Sequence, residues 1–264
     1  MTNDLPPTVG RLAPLGRRLF AEFLGTGLLV AVVVGSGIAA QQLSPEDIGL
    51  QLLENSTATV FGLAALILML GPVSGAHFNP VVSLADWFLG RHTEAGLSVR
   101  DVAAYIAVQC VGGVGGALLA NAMFGVGTHI STKHRATGGH LLGEAVATAG
   151  LLLLIFALAR TQRGALAAPA VGAYLGAAYW FTSSTSFANP AVTIGRVFSD
   201  TFAGIAPSSA PGFIGMQLLG LIAGIVIVLI LYPSAGDQAD DVVIPHRDTD
   251  RGAHPESLDR TPPS

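Results

Sequence analysis

The tripeptide Asn79-Pro80-Val81 recurs 110 positions later as Asn189-Pro190-Ala191. Asn followed by Pro starts a helix. The Asn side-chain oxygen accepts from the first unpaired N–H groups, and Pro at the next position gives up a donor that has no partner there. A helix start carries roughly half a positive charge and free N–H groups, so two of them brought together make a polar, cation-repelling point. Two carboxylates offer other chemistry: Glu22 and Glu144 stand inside apolar runs, where they could support a proton or ion path or accept hydrogen bonds from backbone. His77 could orient a loop or ligate a metal, but no second His or carboxylate stands beside it at ligand spacing, so no metal site is expected. Cys110 is the only cysteine. It can form neither an intramolecular disulfide nor a multi-thiol site, and a single buried Cys is usually a small hydrophobe. No nucleophile–base arrangement, phosphate-binding Gly loop or metal cluster stands in the sequence. An enzyme, a cofactor and a nucleic-acid partner are therefore not expected.

The elements that position these residues must sit in lipid. Of 264 residues, 51% are hydrophobic and 11% charged, against about 25% charged in a soluble domain, and the mean hydropathy is +0.59. Charges crowd the N-terminus, the connections and the tail after Tyr232. Between them lie six apolar runs: Leu19 to Ala40, Thr57 to Gly71, Val102 to Phe124, Leu141 to Ala159, Ala165 to Thr182 and Gly212 to Tyr232. Each is tested against a bilayer that asks for about 20 residues per helix. Two shorter stretches, Asn79 to Leu89 and Asn189 to Phe198, are too short to span. Broken segments at membrane depth are tolerated where protein buries them or a watery cavity adjoins them, which favours two half-helices meeting inside a bundle. The first run is too long for a cleavable signal, contains Glu22 and leads into further spans.

Basic residues set the orientation. With the N-terminus cytoplasmic, Arg11, Arg17, Arg18, Arg91, Arg100, Arg160, Arg163, Arg247, Arg251 and Arg260 lie inside, and Lys133, Arg135 and Arg196 outside. That distribution satisfies the positive-inside rule, places both termini in the cytoplasm and indicates a multi-pass protein of the inner or plasma membrane. Residues 1–17 form an N-terminal segment. Residues 233–264, rich in Asp, Pro, Ser and Arg, are expected to be disordered.

The chain duplicates itself. Leu19-Phe20-Ala21-Glu22-Phe23-Leu24-Gly25-Thr26 resembles Leu141-Leu142-Gly143-Glu144-Ala145-Val146-Ala147-Thr148, and Tyr105-Ile106-Ala107-Val108-Gln109 resembles Phe213-Ile214-Gly215-Met216-Gln217. Three spans per half, an odd number, invert the second copy. The halves, about 18–124 and 139–232 of a domain covering 18–232, then form an inverted repeat with its site near the midplane. Gly112, Gly113, Gly115 and Gly116 suit close helix approach.

These motifs, with Ser74-Gly75-Ala76-His77-Phe78-Asn79-Pro80, resemble the major intrinsic protein family of aquaporins and aquaglyceroporins over about residues 18 to 232. The resemblance implies an all-α integral membrane protein of six transmembrane helices plus two half-helices, one pore per subunit and a homotetramer. It also implies passive permeation of small neutral solutes through the lipid bilayer without a cofactor. Asn79, Pro80, Val81, Asn189, Pro190 and Ala191 would form the two pore motifs, with Val81 adding methyl groups where the family usually has Ala. Glu22, Glu144 and His77 would support the loops entering the half-helices.

The family's outer constriction is normally completed by an Arg three residues after the second Asn. That position is Val192. Family spacing counted back from Asn189 gives Ala177 and Ser186 as further members, and counting back from Asn79 gives Thr59, or Phe61 with a two-residue gap. A ring of Thr59, Ala177, Ser186 and Val192 lacks both a bulky aromatic and a cation, so it is expected to be wide. Arg196, two helical turns beyond Asn189, could supply a displaced positive charge at the outer mouth and Asp86 a negative one at the inner mouth; rim residues solvated or paired locally are the alternative. The stretch Phe181 to Arg196 resembles a bacterial branch associated with arsenic-resistance genes, implying passage of neutral arsenite and methylated arsenicals beside glycerol-like polyols and water. A secondary active transporter coupled to protons through Glu22 and Glu144 is the competing function.

Overall fold

The structure, a computed structural model, describes residues 13–91 and 96–233. The expected disordered tail beyond 233, most of the N-terminal segment and the basic residues Arg11, Arg247, Arg251 and Arg260 lie outside the described residues. Eight α-helices follow one another: α1 (Leu15–Leu43), α2 (Ile48–Ser74), α3 (Pro80–Gly90), α4 (Val99–Met123), α5 (Gly138–Arg160), α6 (Ala167–Phe181), α7 (Pro190–Arg196) and α8 (Ala210–Leu231). All six expected spans and both half-helices are present. Five helices are long and apolar enough to cross a membrane. The sixth span, α6, has 15 residues, about 22 Å at the helical rise, and is extended by a 3-10 turn at Gly164–Leu166.

Local chemistry fixes where these helices begin. The Asp47 carboxylate accepts from Leu50 N at 2.9 Å ahead of α2, and Ser98 Oγ accepts from Asp101 N at 3.1 Å ahead of α4. Each satisfies one of the orphan donors of a first turn. At the other end of α2, Gly75 takes φ +84°, the left-handed C-cap that glycine adopts without a Cβ penalty.

Large apolar side chains such as Phe20, Phe61, Leu68, Leu142, Ile222 and Ile230 stand exposed around the outside. In water that surface would drive aggregation; in hydrocarbon it is the solvated face. The interior packs in two matching sets. Helix α1 packs most extensively on α4, and α5 on α8, while the half-helix α7 packs on α4 of the other half and α3 on α8. Glycine makes the closest crossings. A Cβ at Gly112 or Gly116 of α4 would collide with the backbone carbonyl of Phe23 or Gly27 in α1, and one at Gly195 of α7 would strike Gly113. Gly115 differs from its neighbours, facing open space with nothing to approach.

Candidate functional site

Asn79 and Asn189 cap the two half-helices and join them. Asn79 Oδ1 accepts from Val81 N at 3.1 Å, and Asn189 Oδ1 accepts from Ala191 N and Val192 N at 2.9 and 3.2 Å. Each amide nitrogen then crosses to the opposite loop: Asn79 Nδ2 donates to the Ala188 carbonyl at 2.8 Å and Asn189 Nδ2 to the Phe78 carbonyl at 2.7 Å. Those carbonyls are aimed by strained backbone. Ala76 and Phe78 take φ of 49° and 48°, and Ser186 and Ala188 take 47° and 46°. The left-handed region costs a non-glycine residue about 1–2 kcal/mol, and here it falls at matching places before each Asn.

The two buried carboxylates hold that strain. Glu22, fully buried, accepts from Ser74 Oγ (2.7 Å), His77 N (3.0 Å), Phe78 N (2.7 Å) and Gln109 Nε2 (2.7 Å). Glu144, also fully buried, accepts from Phe187 N and Ala188 N, both at 2.9 Å, and from Gln217 Nε2 at 2.6 Å. The correspondence extends one shell further: Gln109 donates to Ser83 Oγ and Gln217 to Thr193 Oγ1, which in turn bond the carbonyls of Asn79 and Asn189. His77 pairs through Nδ1 with Ser83 Oγ at 3.0 Å and lines the inner cavity.

Two chambers meet at the asparagines, inner and outer in the orientation expected from the basic residues. The inner one is lined by His77, Phe78, Val82, Leu63, Ile67 and Ile155 among others, the outer by Thr59, Tyr179, Ser186, Phe187, Val192 and Arg196. Both share Leu29, Asn79, Leu151, Leu175 and Asn189. Measured to water centres they hold about 40 and 30 Å³, above the roughly 10–15 Å³ needed to hold a water.

Several expected site residues are relocated. Ala177 lies on the exposed face of α6, while Leu175 and Tyr179 line the outer chamber. A shift of two residues turns about 200° on a helix, so a small miscount across the 182–188 loop exchanges the two faces. The ring therefore contains an aromatic, Tyr179, whose hydroxyl lies 3.2 Å from Thr59 Oγ1. The same wall carries the cation of Arg196, which was expected at the outer mouth, and Tyr179 stands where Ala177 was expected. Thr59 occupies the chamber and Phe61, 70% exposed, faces outward. Val81 and Ala191 are packed into the bundle and line neither chamber, so the Val81 methyls do not face the path. Asp86 is buried, lines neither chamber and accepts from Leu97 N at 2.7 Å, tying down the segment after α3 in place of a mouth charge. The sequence signal for Tyr179 was the i, i+4 stripe Val171, Leu175, Tyr179, one face of α6.

At the outer end three cations gather on one loop. Arg196 Nε donates to the Ala203 carbonyl, Arg135 Nε to Gly204 O at 2.7 Å and Nη2 to Phe202 O at 2.8 Å, and Lys133 Nζ to Phe202 O at 3.2 Å. The Phe187 ring carries the Arg196 guanidinium 3.4 Å from its centroid and that of Arg135 at 5.5 Å. Burial pushes the Arg135 guanidinium down to about 10, which leaves it charged at neutral pH. Burial and the adjacent arginines lower the Lys133 ammonium as well.

An inverted repeat of three spans and a half-helix per half, with paired Asn-Pro caps meeting at mid-depth, defines a membrane channel fold, and the family it belongs to follows from comparison. The family model described as "Major intrinsic protein" matches residues 11–186, and the chain belongs to that family of channels, not enzymes. It is 47% identical over 215 residues to the aquaglyceroporin AqpS of Rhizobium meliloti, covering 81% of this chain and 89% of that one. Aquaporin AqpM of Methanothermobacter marburgensis is 29% identical over 247 residues, covering 84% and 98%. The X-ray structure of the aquaglyceroporin from Plasmodium falciparum shares the fold, with a TM-score of 0.58 at 19% identity over 84% of this chain and 99% of that one. The protein is thus a multi-pass membrane channel.

Proposed function

We propose that the two chambers form one continuous pore, and that it passes water, glycerol-like polyols and neutral arsenite or methylated arsenicals down their gradients. The observation that carries this is the meeting of the chambers at Asn79 and Asn189, which stand on the walls of both. Each Asn amide has two hydrogens; one is committed to the opposite loop and the second is left for a solute hydroxyl or water. The apolar wall from Leu29, Leu151 and Leu175 offers no competing partner, so a solute is handed between asparagines. Neutral As(OH)3 presents hydroxyls as a polyol does.

Val192 stands where the family's Arg usually does, and Arg196, one turn further along α7, takes over the fixed positive charge. Together with the two half-helix starts, it excludes cations from the path. The ring of Tyr179, Thr59 and Arg196 favours water and small compact neutral solutes over bulkier ones. The subunit assembles as a homotetramer in the plasma membrane, with both termini cytoplasmic, Glu22, Glu144 and His77 serving as loop supports.

Coupled transport finds no support in the geometry. Glu22 and Glu144 have their oxygens engaged by loop N–H groups and glutamines, and a proton carrier needs an oxygen free to be protonated and released. Stopped-flow swelling of proteoliposomes with water, glycerol and arsenite, with and without ion gradients, tests the reading. Gradient-independent flux with a low activation energy is expected; accumulation against a concentration difference would overturn it.

A further inference from the structure

The outer chamber carries one cation, Arg196, on its wall, and Arg135 and Lys133 stand behind it, bonded to the same loop. Arg196 is 2% exposed and stands on the chamber wall, and among the described residues its hydrogen bond is the one from Nε to the neutral Ala203 carbonyl. Arg135 and Lys133 hold carbonyls of the same loop. None of the three lies within ion-pair distance of a carboxylate among the described residues. The carboxylates in reach are engaged elsewhere: Asp200 accepts from Thr132 N and from the Ser131 and Thr132 hydroxyls, and Glu144 from Phe187, Ala188 and Gln217. The Phe187 ring covers one face of the Arg196 guanidinium, and a buried guanidinium with no carboxylate in contact is still costly.

A second, independent feature lies on the same wall. Ser186 Oγ is buried, the residue being 3% exposed, and has no hydrogen-bond partner among the described residues. The Tyr179 and Thr59 hydroxyls stand alongside. A guanidinium with spare N–H groups, an idle hydroxyl and two further hydroxyls in a small space form a receptor for oxygen acceptors that carry negative charge. The chamber is small, about 30 Å³ measured to water centres, which favours a small, weakly hydrated monoanion. Toward the asparagines the wall turns apolar at Leu29, Leu151 and Leu175, where a charged group loses its solvation.

From this we infer that the outer chamber binds a small singly charged oxyanion of the nitrate or formate type between Arg196 and Ser186, and that the bound anion occludes the pore. The site rests on the pore reading above. Its occupancy makes water flow sensitive to the anions on the outer side, with half-occupancy on the order of 10 mM, the affinity that two charge-assisted hydrogen bonds support.

The test is osmotic water flux in proteoliposomes of the full chain, with potassium nitrate or formate against potassium gluconate at equal osmolarity, each variant normalised to its own flux in gluconate. Nitrate and formate are expected to reduce wild-type flux at least twofold at saturation, with the effect abolished in Arg196→Gln and weakened in Ser186→Ala. Arg196→Lys, which keeps the charge without the fork, is expected to retain part of the block. Equal flux in nitrate and gluconate for the wild type overturns the site, as does inhibition that persists undiminished in both Arg196→Gln and Ser186→Ala. A wild-type protein with no water flux in gluconate removes the pore reading itself and the block with it.

Discussion

Asn79 and Asn189 each hold the other's loop: the amide of Asn79 bonds the carbonyl of Ala188, and the amide of Asn189 bonds that of Phe78. The capping oxygens are not equal, since Asn189 accepts two N–H groups and Asn79 one. Asn189→Ala is therefore expected to destabilise the protein by about 1 kcal/mol more than Asn79→Ala, the worth of one net hydrogen bond. Thermal or denaturant unfolding in detergent measures the difference; equal losses would show that the second cap bond contributes nothing.

Replacing Glu22 by Gln turns a donor toward a set of donors. Glu22 faces Ser74 Oγ, His77 N, Phe78 N and Gln109 Nε2, so one new amide NH2 opposes them and leaves at least one buried donor unpaired, at about 1–3 kcal/mol. Glu144→Gln is expected to behave alike. Both variants should lower melting temperature and water flux together. A variant that keeps its melting temperature while losing pH-gradient-driven uptake would instead point to a coupling role.

Tyr179 and Thr59 bridge α6 and α2 across the outer chamber at 3.2 Å. Tyr179→Phe should cost about 1 kcal/mol of stability with little change in the space, whereas Tyr179→Ala should raise glycerol flux relative to water several-fold. Phe61→Ala, on the outward face, is expected to leave that ratio unchanged. Paired glycerol and water measurements decide between the two residues.

Val192→Arg restores a guanidinium one turn from Arg196. It should reduce glycerol flux about tenfold, equivalent to roughly 1.4 kcal/mol of added barrier, while water continues to pass. Arg196→Ala should raise the cation leak. Conductance and swelling recorded on the same vesicles check both, and unchanged leak in Arg196→Ala would show that the half-helix starts suffice.

The features legible in the sequence are those whose chemistry is local. Asn-Pro declares a capped helix by itself, and a carboxylate in an apolar run calls for donors, which Glu22 and Glu144 find in the loops at the far end of the following helix, α2 and α6. Counting back from Asn79 left Thr59 and Phe61 open, and it is Thr59 that lines the outer chamber while Phe61 faces outward. Ala177 was misplaced because the 182–188 segment contains Thr185, Ser186 and Ala188 in left-handed geometry, and residue counting across such a segment does not preserve helical phase. The burial of Arg196 was not legible at all. It depends on residues 202–204 folding back to present their carbonyls, a tertiary event with no signature in α7.

The glycine crossings have a consequence for temperature. Where α4 meets α1 at Gly112 and Gly116, and α7 meets α4 at Gly195 and Gly113, backbone rests on backbone with no side-chain layer between. The α7–α4 crossing is the one of these that joins the two halves, and rocking one half against the other needs compliant packing there, which a seam of main chain does not offer. The bore is thus set once, during assembly in the bilayer, and each molecule that crosses afterwards meets the same fixed landscape, so throughput should scale with temperature as the mobility of water does.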